Sequence, residues 1–308
     1  MPLGCTGIRG NQHIARWSMG LLILQLVNGI TYGMFYGLAA LGLSMVFKAL
    51  GYMNFAHSDT IMIGAILLFC FMSYFSIPYW AAFLLTLFIT MLYGILTEKI
   101  LFIRFRKTSP ITFMLVSMSL STVVKNVALL LFGAFPHGLD FKFTDASFEI
   151  AGTRISLNNF VIFVIIILIL VILQLFFVKT RFGLAIRMAQ ESPETAAAMG
   201  VNVLATRAAT FAISAGLGCV SGMLIGPMYT ISAELGAQVS LKAFIAAVIG
   251  GLGNFVGAIF GGVLVGIVEC LGATYISSGY KDIIVYTAGI VVLGFFPYGI
   301  FRRVKTKH

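Results

Sequence analysis

Residues 160–178 run as Ile, Val, Leu and Phe without one charged side chain, interrupted only by Gln174. A stretch of this length matches the ~20 residues a helix needs to cross ~30 Å of hydrocarbon. Apolar companions lie at 20–47, 56–76, 78–96, 110–132, 208–230, 241–272 and 281–300. In lipid every backbone N–H and C=O must be paired within the structure, which leaves helices or closed barrels. A barrel would show alternating segments of roughly ten residues, and none occur. The expectation is therefore an all-α polytopic membrane protein of about eight transmembrane helices, with a single transmembrane body over 20–300 between a polar tail (1–19) and a basic cytoplasmic tail (301–308).

Composition closes off the other classes. The chain is 60% hydrophobic and 10% charged, against about 45–50% and about 25% in soluble domains. A soluble enzyme, a disordered chain and a disulfide scaffold are excluded. The net charge of +10 would suggest nucleic acid in a soluble protein. Here the basic residues sit between apolar runs, so they report topology and no nucleic-acid partner is expected. Cys5, Cys70, Cys219 and Cys270 have no metal-ligand spacing, and a thiol in an apolar run acts as a small hydrophobe.

Lys and Arg mark the cytoplasmic side. Three clusters qualify: Lys99, Arg104, Arg106 and Lys107; Lys179, Arg181, Arg187 and Arg207; and Arg302, Arg303, Lys305 and Lys307. The stretch 133–158, with Asp140, Lys142, Asp145, Glu149 and Arg154, is balanced and is expected outside. Parity then requires 241–272 to enter and return. Its middle reads Gly250-Gly251-Leu252-Gly253-Asn254, which predicts a broken or re-entrant pair, tolerated where protein or a watery cavity surrounds it. Parity leaves the side of the N-terminus open.

Four features carry chemistry. Asn54-Phe55-Ala56-His57-Ser58-Asp59 lies between apolar runs. It reads either as an interfacial loop with a helix N-cap at Ser58 or Asp59, or as polar groups facing a cavity that Asn28 and Thr31 also line. The stretch 181–207 holds Ser192 and Pro193, suited to open a helix, then Glu194 and three alanines, and Gly200 to stop it. This predicts a short cytoplasmic helix, either solvated or a docking surface. Gly250, Gly251, Gly253, Gly257, Gly261, Gly262 and Gly266 recur at four-residue intervals typical of close helix packing; no Lys-Ser/Thr follows to make a phosphate loop. Lys125 stands mid-segment and is expected to pair with an acid such as Asp59 or Glu269, while Glu269 and Asp282 read as interfacial charges. His13, His57, His137 and His308 are scattered, and no nucleophile–base set appears.

Together these residues resemble the LivH-type permease subunit of branched-chain amino acid ABC importers, from about Gln25 to Gly299. The resemblance rests on residues 26–33, on Asn54 to Asp59 with Ser58 in place of the usual Gly, on 181–183 through 199–201, on the Gly-rich 241–253 and 257–262, and on 280–282 and 296–300. Glu194-Thr195-Ala196-Ala197-Ala198-Met199-Gly200 is similar to the Glu-Ala-Ala-xxx-Gly loop of importer permeases, with Thr195 replacing the first Ala. Lys125 departs from the uncharged residue more usual there.

The resemblance implies a permease subunit moving branched-chain or related hydrophobic amino acids by alternating access, in a bacterial or archaeal inner membrane. Its implied partners are a second homologous permease subunit, two cytoplasmic ATP-binding subunits and an extracytoplasmic binding protein, with the lipid bilayer around it. ATP and Mg would sit on the partners, with no cofactor on this chain and no catalysis by it. A coupling helix about 184–200 would use Arg187, Glu191, Glu194, Ala196, Ala197 and Gly200. The pathway would be lined by Asn28, Thr31, Asn54 and His57, with Asp59 and Lys125 as further candidates. Relatives of this permease type also serve urea and amides. An ion-coupled transporter relaying through Asp59, Lys125 and Glu269 is the rival reading, although no second inverted half is detectable in the sequence; a passive channel is the third.

Overall fold

The computed structural model describes residues 7–300 apart from 106–107, 134–135, 140, 145, 151–152 and 297–298, with side chains described from Gly20 onward and not over 150–155. Arg106, Lys107, Asp140, Asp145, Cys5, the side chains of Arg9, His13, Arg16 and Arg154, and the basic tail 301–308 therefore lie outside the described residues. Among the described residues eleven α-helices follow in order: α1 Gly7–Leu50, α2 His57–Ser73, α3 Tyr79–Leu96, α4 Pro110–Phe132, α5 Leu157–Lys179, α6 Arg181–Glu191, α7 Pro193–Ala198, α8 Val203–Ile225, α9 Leu235–Gly250, α10 Phe255–Tyr275 and α11 Lys281–Phe295. A small antiparallel hairpin, β1 Ser147–Ile150 with β2 Thr153–Ser156, sits in the long connection before α5.

Among the described residues seven helical stretches are long and apolar enough to cross a membrane, and α2 and α9 are shorter apolar helices. The chain is thus a polytopic helical membrane protein. The eight apolar segments of the sequence become nine helices because 241–272 divides between α9 and α10. The break falls at Gly251, whose φ of +88° is open to glycine. Asn254 then restarts the helix, its Oδ1 accepting from Gly257 N–H at 3.2 Å. Helix α1 extends back to Gly7, so the backbone of residues 7–19 continues the first helix.

Other boundaries follow local chemistry. Ser109 caps α4 ahead of Pro110, accepting from Thr112 N–H at 3.3 Å. Ser156 caps α5 and Asn202 caps α8 in the same way. The start of α2 corrects the sequence reading: helix begins at His57 with Ala56 at the cap position and no side-chain cap bond. Ser58 Oγ instead donates back to Phe55 O at 2.9 Å, so neither Ser58 nor Asp59 is the cap.

The core is built on α1 and α8. Phe35, Tyr36, Ala39 and Ala40 of α1 and nearly all of α8 from Ala208 on are buried. Packing is reciprocal. Helix α2 lies on α8 while α9 lies on α1; α3 lies on α8 while α10 lies on α1; and α2 meets α9. The two helix triplets α1–α2–α3 and α8–α9–α10 thus interlock, an exchange symmetry that shows no repeat in sequence. Helices α4, α5 and α11 form the rim and turn large apolar side chains outward, Leu130 at 86% exposure and Phe295 at 78% among them. On a soluble protein this would be an aggregation surface; around a membrane core it is where lipid belongs.

The most extensive crossing is α1 on α10. Gly29, Gly33 and Gly37 face Gly262 and Gly266, and a Cβ at Gly33 would lie 2.5 Å from Val263 Cα. Within the α9–α10 hairpin a Cβ at Gly250 would lie 2.0 Å from Gly257 O, and one at Gly261 would lie 2.1 Å from Ala246 O. The spacing of small residues read from the sequence is therefore a pair of backbone-to-backbone contacts.

Candidate functional site

A cavity of about 380 Å³ opens where the end of α1, the start of α2, α4 and α9 meet. Its apolar wall is Leu43, Met53, Phe55, Met118, Leu241 and Phe244, and its polar wall is Asn54, Ser58, Ser121, Thr122 and Ser240. Asn54 is fixed by its own turn, its Oδ1 accepting from Ala56 N–H at 3.1 Å. Ser121 Oγ donates to Asp59 Oδ1 at 2.6 Å, tying α4 to α2. Asp59 is buried behind these hydroxyls.

His57 stands apart from this cavity. Its Nε2 is 3.1 Å from Ala39 O, which can only accept, so Nε2 carries the proton. Nδ1 is 3.2 Å from Ser214 Oγ, and that hydroxyl also reaches Gly42 O at 2.8 Å. The imidazole thereby joins α1, α2 and α8. Gly42 makes room for it, since a Cβ there would come 2.8 Å from the ring. Histidine here is a packing knot of the core.

Asn28 and Thr31 are also elsewhere. Asn28 Oδ1 accepts from Asn159 Nδ2 at 2.8 Å, joining α1 to α5, and Thr31 Oγ1 donates to Val27 O at 3.0 Å. Asn28 is fifteen residues along α1 from Leu43 of the cavity wall, roughly 22 Å at 1.5 Å per residue. Of the residues singled out from sequence, the fold gathers Asn54 and Asp59 around one cavity and leaves Asn28, Thr31 and His57 outside it. Ser121 and Ser240 were missed, although the hydroxyl-rich run Ser117, Ser119, Ser121, Thr122 in an otherwise apolar helix was a signal.

The charge pairs need correction. Lys125 pairs with neither Asp59 nor Glu269: its Nζ bonds Glu234 just before α9. That bridge joins α4 to α9 about one turn beyond Ser121, at one end of the cavity. Both partners are partly exposed, so its worth is ~0–1 kcal/mol. Lys125→Met should therefore lower stability by less than about 1 kcal/mol, read as a near-unchanged thermal midpoint in detergent. Glu269 is not an interfacial charge. It is buried, with Lys242 Nζ at 2.6 Å and the Tyr36 hydroxyl at 2.7 Å. Lys242 also lies 2.9 Å from Asp282. Sequence reading passed over Lys242, although a lone Lys inside an apolar run is a signal.

A second surface lies at α6 and α7. Thr180 caps α6, its Oγ1 accepting from Gly183 N–H at 2.9 Å. Ser192 caps α7 with Pro193 in its first turn. Gly200, at φ +82°, closes it: Gly200 N–H reaches Ala197 O and Val201 N–H reaches Ala196 O, each at 3.0 Å. This paired closure needs the left-handed conformation that glycine adopts freely. Ala196 is buried beneath, while Arg187, Glu191, Glu194, Ala197 and Gly200 are exposed. Glu191 lies 4.0 Å from Lys48 at the end of α1. The result is a rigid, capped, solvent-facing knuckle between two membrane helices. No group of three or more potential metal ligands occurs among the described residues.

Residues 25–293 match a protein family described as the permease component of branched-chain amino acid transport systems. The chain is 34% identical to the high-affinity branched-chain amino acid transport system permease protein BraD of Pseudomonas aeruginosa, over 92% of this chain and 96% of the relative. It is 31% identical, over the same shares, to LivH of Escherichia coli K12, and 28% identical to a probable LivH of Methanocaldococcus jannaschii over 89% and 91%. A nucleoside ABC transporter permease protein, NupC of Lactococcus lactis, is 33% identical over 48% of each chain. No solved structure matches.

Proposed function

The chain belongs to the branched-chain amino acid permease family, and from that premise we propose that it is the membrane-spanning subunit of an ABC importer that carries branched-chain amino acids inward across a prokaryotic inner membrane. A second homologous permease would complete the pathway. Two cytoplasmic subunits would bind ATP with Mg, and an extracytoplasmic protein would deliver substrate. This chain performs no chemistry of its own; its part is to hold and switch the pathway.

The observation that carries this reading is the knuckle at α7. A six-residue helix gains little stability from its own hydrogen bonds, yet this one is closed at both ends by Ser192 and Gly200 and pinned by buried Ala196. Such rigidity suits a lever. Nucleotide-driven closure of the ATP-binding subunits would pull on the exposed face at Arg187, Glu191, Glu194 and Ala197. Helices α5 and α8, which flank the lever, would transmit the pull and turn the cavity from outward-open to inward-open.

The relay of an ion-coupled transporter finds less support. Asp59 is held by Ser121, Lys125 by Glu234 and Glu269 by Lys242, so the three form no chain. The apolar wall of the cavity favours an aliphatic substrate over urea or a small amide.

The test begins with the protein solubilised in mild detergent and its co-purifying proteins identified. Recovery of an ATP-binding subunit and a second permease is expected; recovery of the chain alone, with uptake driven by an ion gradient in liposomes, would overturn the reading. Within the assembly, Glu194→Lys reverses a charge at the docking face. It should cut uptake roughly tenfold, the effect of losing about 1.4 kcal/mol of docking, while insertion stays normal. Full uptake in that variant would remove α7 as the coupling element.

A further inference from the structure

Asp59 presents a problem of charge. It is 3% exposed, and no cationic side chain pairs with it among the described residues. Its Oδ1 accepts from Ser121 at 2.6 Å, and Ser58 Oγ lies 3.4 Å from it. Its Oδ2 is enclosed and has no hydrogen-bond partner. Buried charges are paired as a rule, so a carboxylate kept in this state points to a cation that comes and goes.

The two serines show where. Both stand on the polar wall of the cavity, and their hydroxyl oxygens lie 3.4 Å apart. A hydroxyl has one proton. Ser121 spends its proton on Asp59 and Ser58 spends its own on Phe55 O, so both hydroxyls are left with only lone pairs as acceptors for a group in the cavity. The carboxylate behind them adds its field in a place of low dielectric. Leu241, Phe244 and Met118 line the same cavity. The volume of about 380 Å³ is within the ~300–1,000 Å³ usual for small-molecule sites. The ligand that fits has a cationic donor at one end and an apolar body at the other.

We propose that this cavity holds the amino acid in transit, its ammonium group donating to the Ser58 hydroxyl and to the Ser121 hydroxyl that Asp59 orients, and its aliphatic side chain against Leu241 and Phe244. The proposal deepens the substrate reading above and rests on it. Asp59 acts through Ser121 and by its charge, and is a positioning residue. Asn54, with Oδ1 engaged by Ala56, keeps its amide N–H groups for the substrate carboxylate.

The experiment uses the whole transporter in membrane vesicles. Ala237 lines the same cavity, is exposed and carries no role in the proposal, so Ala237→Cys supplies a reporter thiol. Cys70, Cys219 and Cys270 are buried, and Cys5 is changed to Ser throughout, which keeps the background low. Labelling by a polar maleimide is followed with leucine or with 4-methylpentanoate, which has the same body without the ammonium. Leucine should slow labelling and 4-methylpentanoate should not. Adding Asp59→Asn should raise the half-protecting leucine concentration roughly tenfold or more, the usual loss for a charged hydrogen bond, and erase the difference between the ligands.

A purely structural Asp59 would leave that discrimination intact. Should Asp59→Asn not reach the membrane, Ser58→Ala with Ser121→Ala keeps the carboxylate, removes the acceptors and should lose the same discrimination. Equal protection by both ligands, no protection by either, or protection indifferent to these substitutions overturns the assignment while leucine uptake by the parent transporter stands. Absence of leucine uptake by the parent transporter overturns the substrate reading and this site with it.

Discussion

Gly262→Val should yield little or no monodisperse protein on detergent extraction, while Gly294→Ala should yield as much as the parent chain. Both are helical glycines. A Cβ at Gly262 would lie 2.4 Å from Gly37 N and 2.5 Å from Gly33 O and Gly37 Cα. These are backbone atoms in the middle of α1, and no rotamer change relieves them. Carbon atoms pack at ~3.5–4 Å, so the helices would have to part by more than about 1 Å, and valine adds two methyl groups beyond that. In a bilayer helix association depends on close contact because lipid is as apolar as the side chains. Parting α1 from α10 also disturbs the rows at Gly29 and Gly266, which share the same crossing. The cost should exceed the ~1–3 kcal/mol typical of overpacking. At Gly294 a Cβ meets nothing within 4 Å, and alanine there should raise helix stability by up to about 1 kcal/mol. Normal yield and melting for Gly262→Val would mean that α1 and α10 do not cross as described.

The sequence displayed this crossing and concealed others, for physical reasons. A four-residue spacing of glycines marks one face of one helix, so the seam on α10 could be read locally; its partner face on α1 could not. The ends of α7 were legible because capping is local: Ser192 and Gly200 act within three or four residues of where they stand. The break at Gly251 was legible for the same reason. The start of α2 was misread because Ser58 spends its hydroxyl on Phe55 O and Asp59 is drawn toward Ser121, choices set by α4. Charge partners were hidden most. Lys125 and Glu234 are 109 residues apart and Asp59 and Ser121 are 62 apart; apolar helices of similar length say nothing of their neighbours. At His57 a polar group at membrane depth is engaged in packing, its ring bonded to Ala39 O and Ser214.

Glu269→Ala should lower the thermal midpoint of the purified protein more than any substitution at Lys125 or Glu234, because the two ion pairs differ in burial. Lys242 and Glu269 are each 5% exposed at the side chain, against one third to more than half for Lys125 and Glu234. Removing Glu269 strands the Lys242 ammonium with only Asp282, at 2.9 Å and itself half exposed, and leaves the Tyr36 hydroxyl without its carboxylate. Losing one member of a buried pair costs ~3–5 kcal/mol. Lys242→Met should cost a similar amount, since Glu269 would keep the Tyr36 hydroxyl but find its next cation, Lys281, at 4.0 Å. The double change Lys242→Met with Glu269→Met separates two roles. If the pair serves stability alone, the double variant should recover most of the loss and the two single costs should fail to add. It should then still transport, because α9 reaches the cavity through Ala237, Ser240, Leu241 and Phe244 and not through Lys242. A double variant that melts like the parent yet fails to transport would show instead that the pair fixes the register of α9 against α10 and α11, a register on which the apolar wall of the cavity depends.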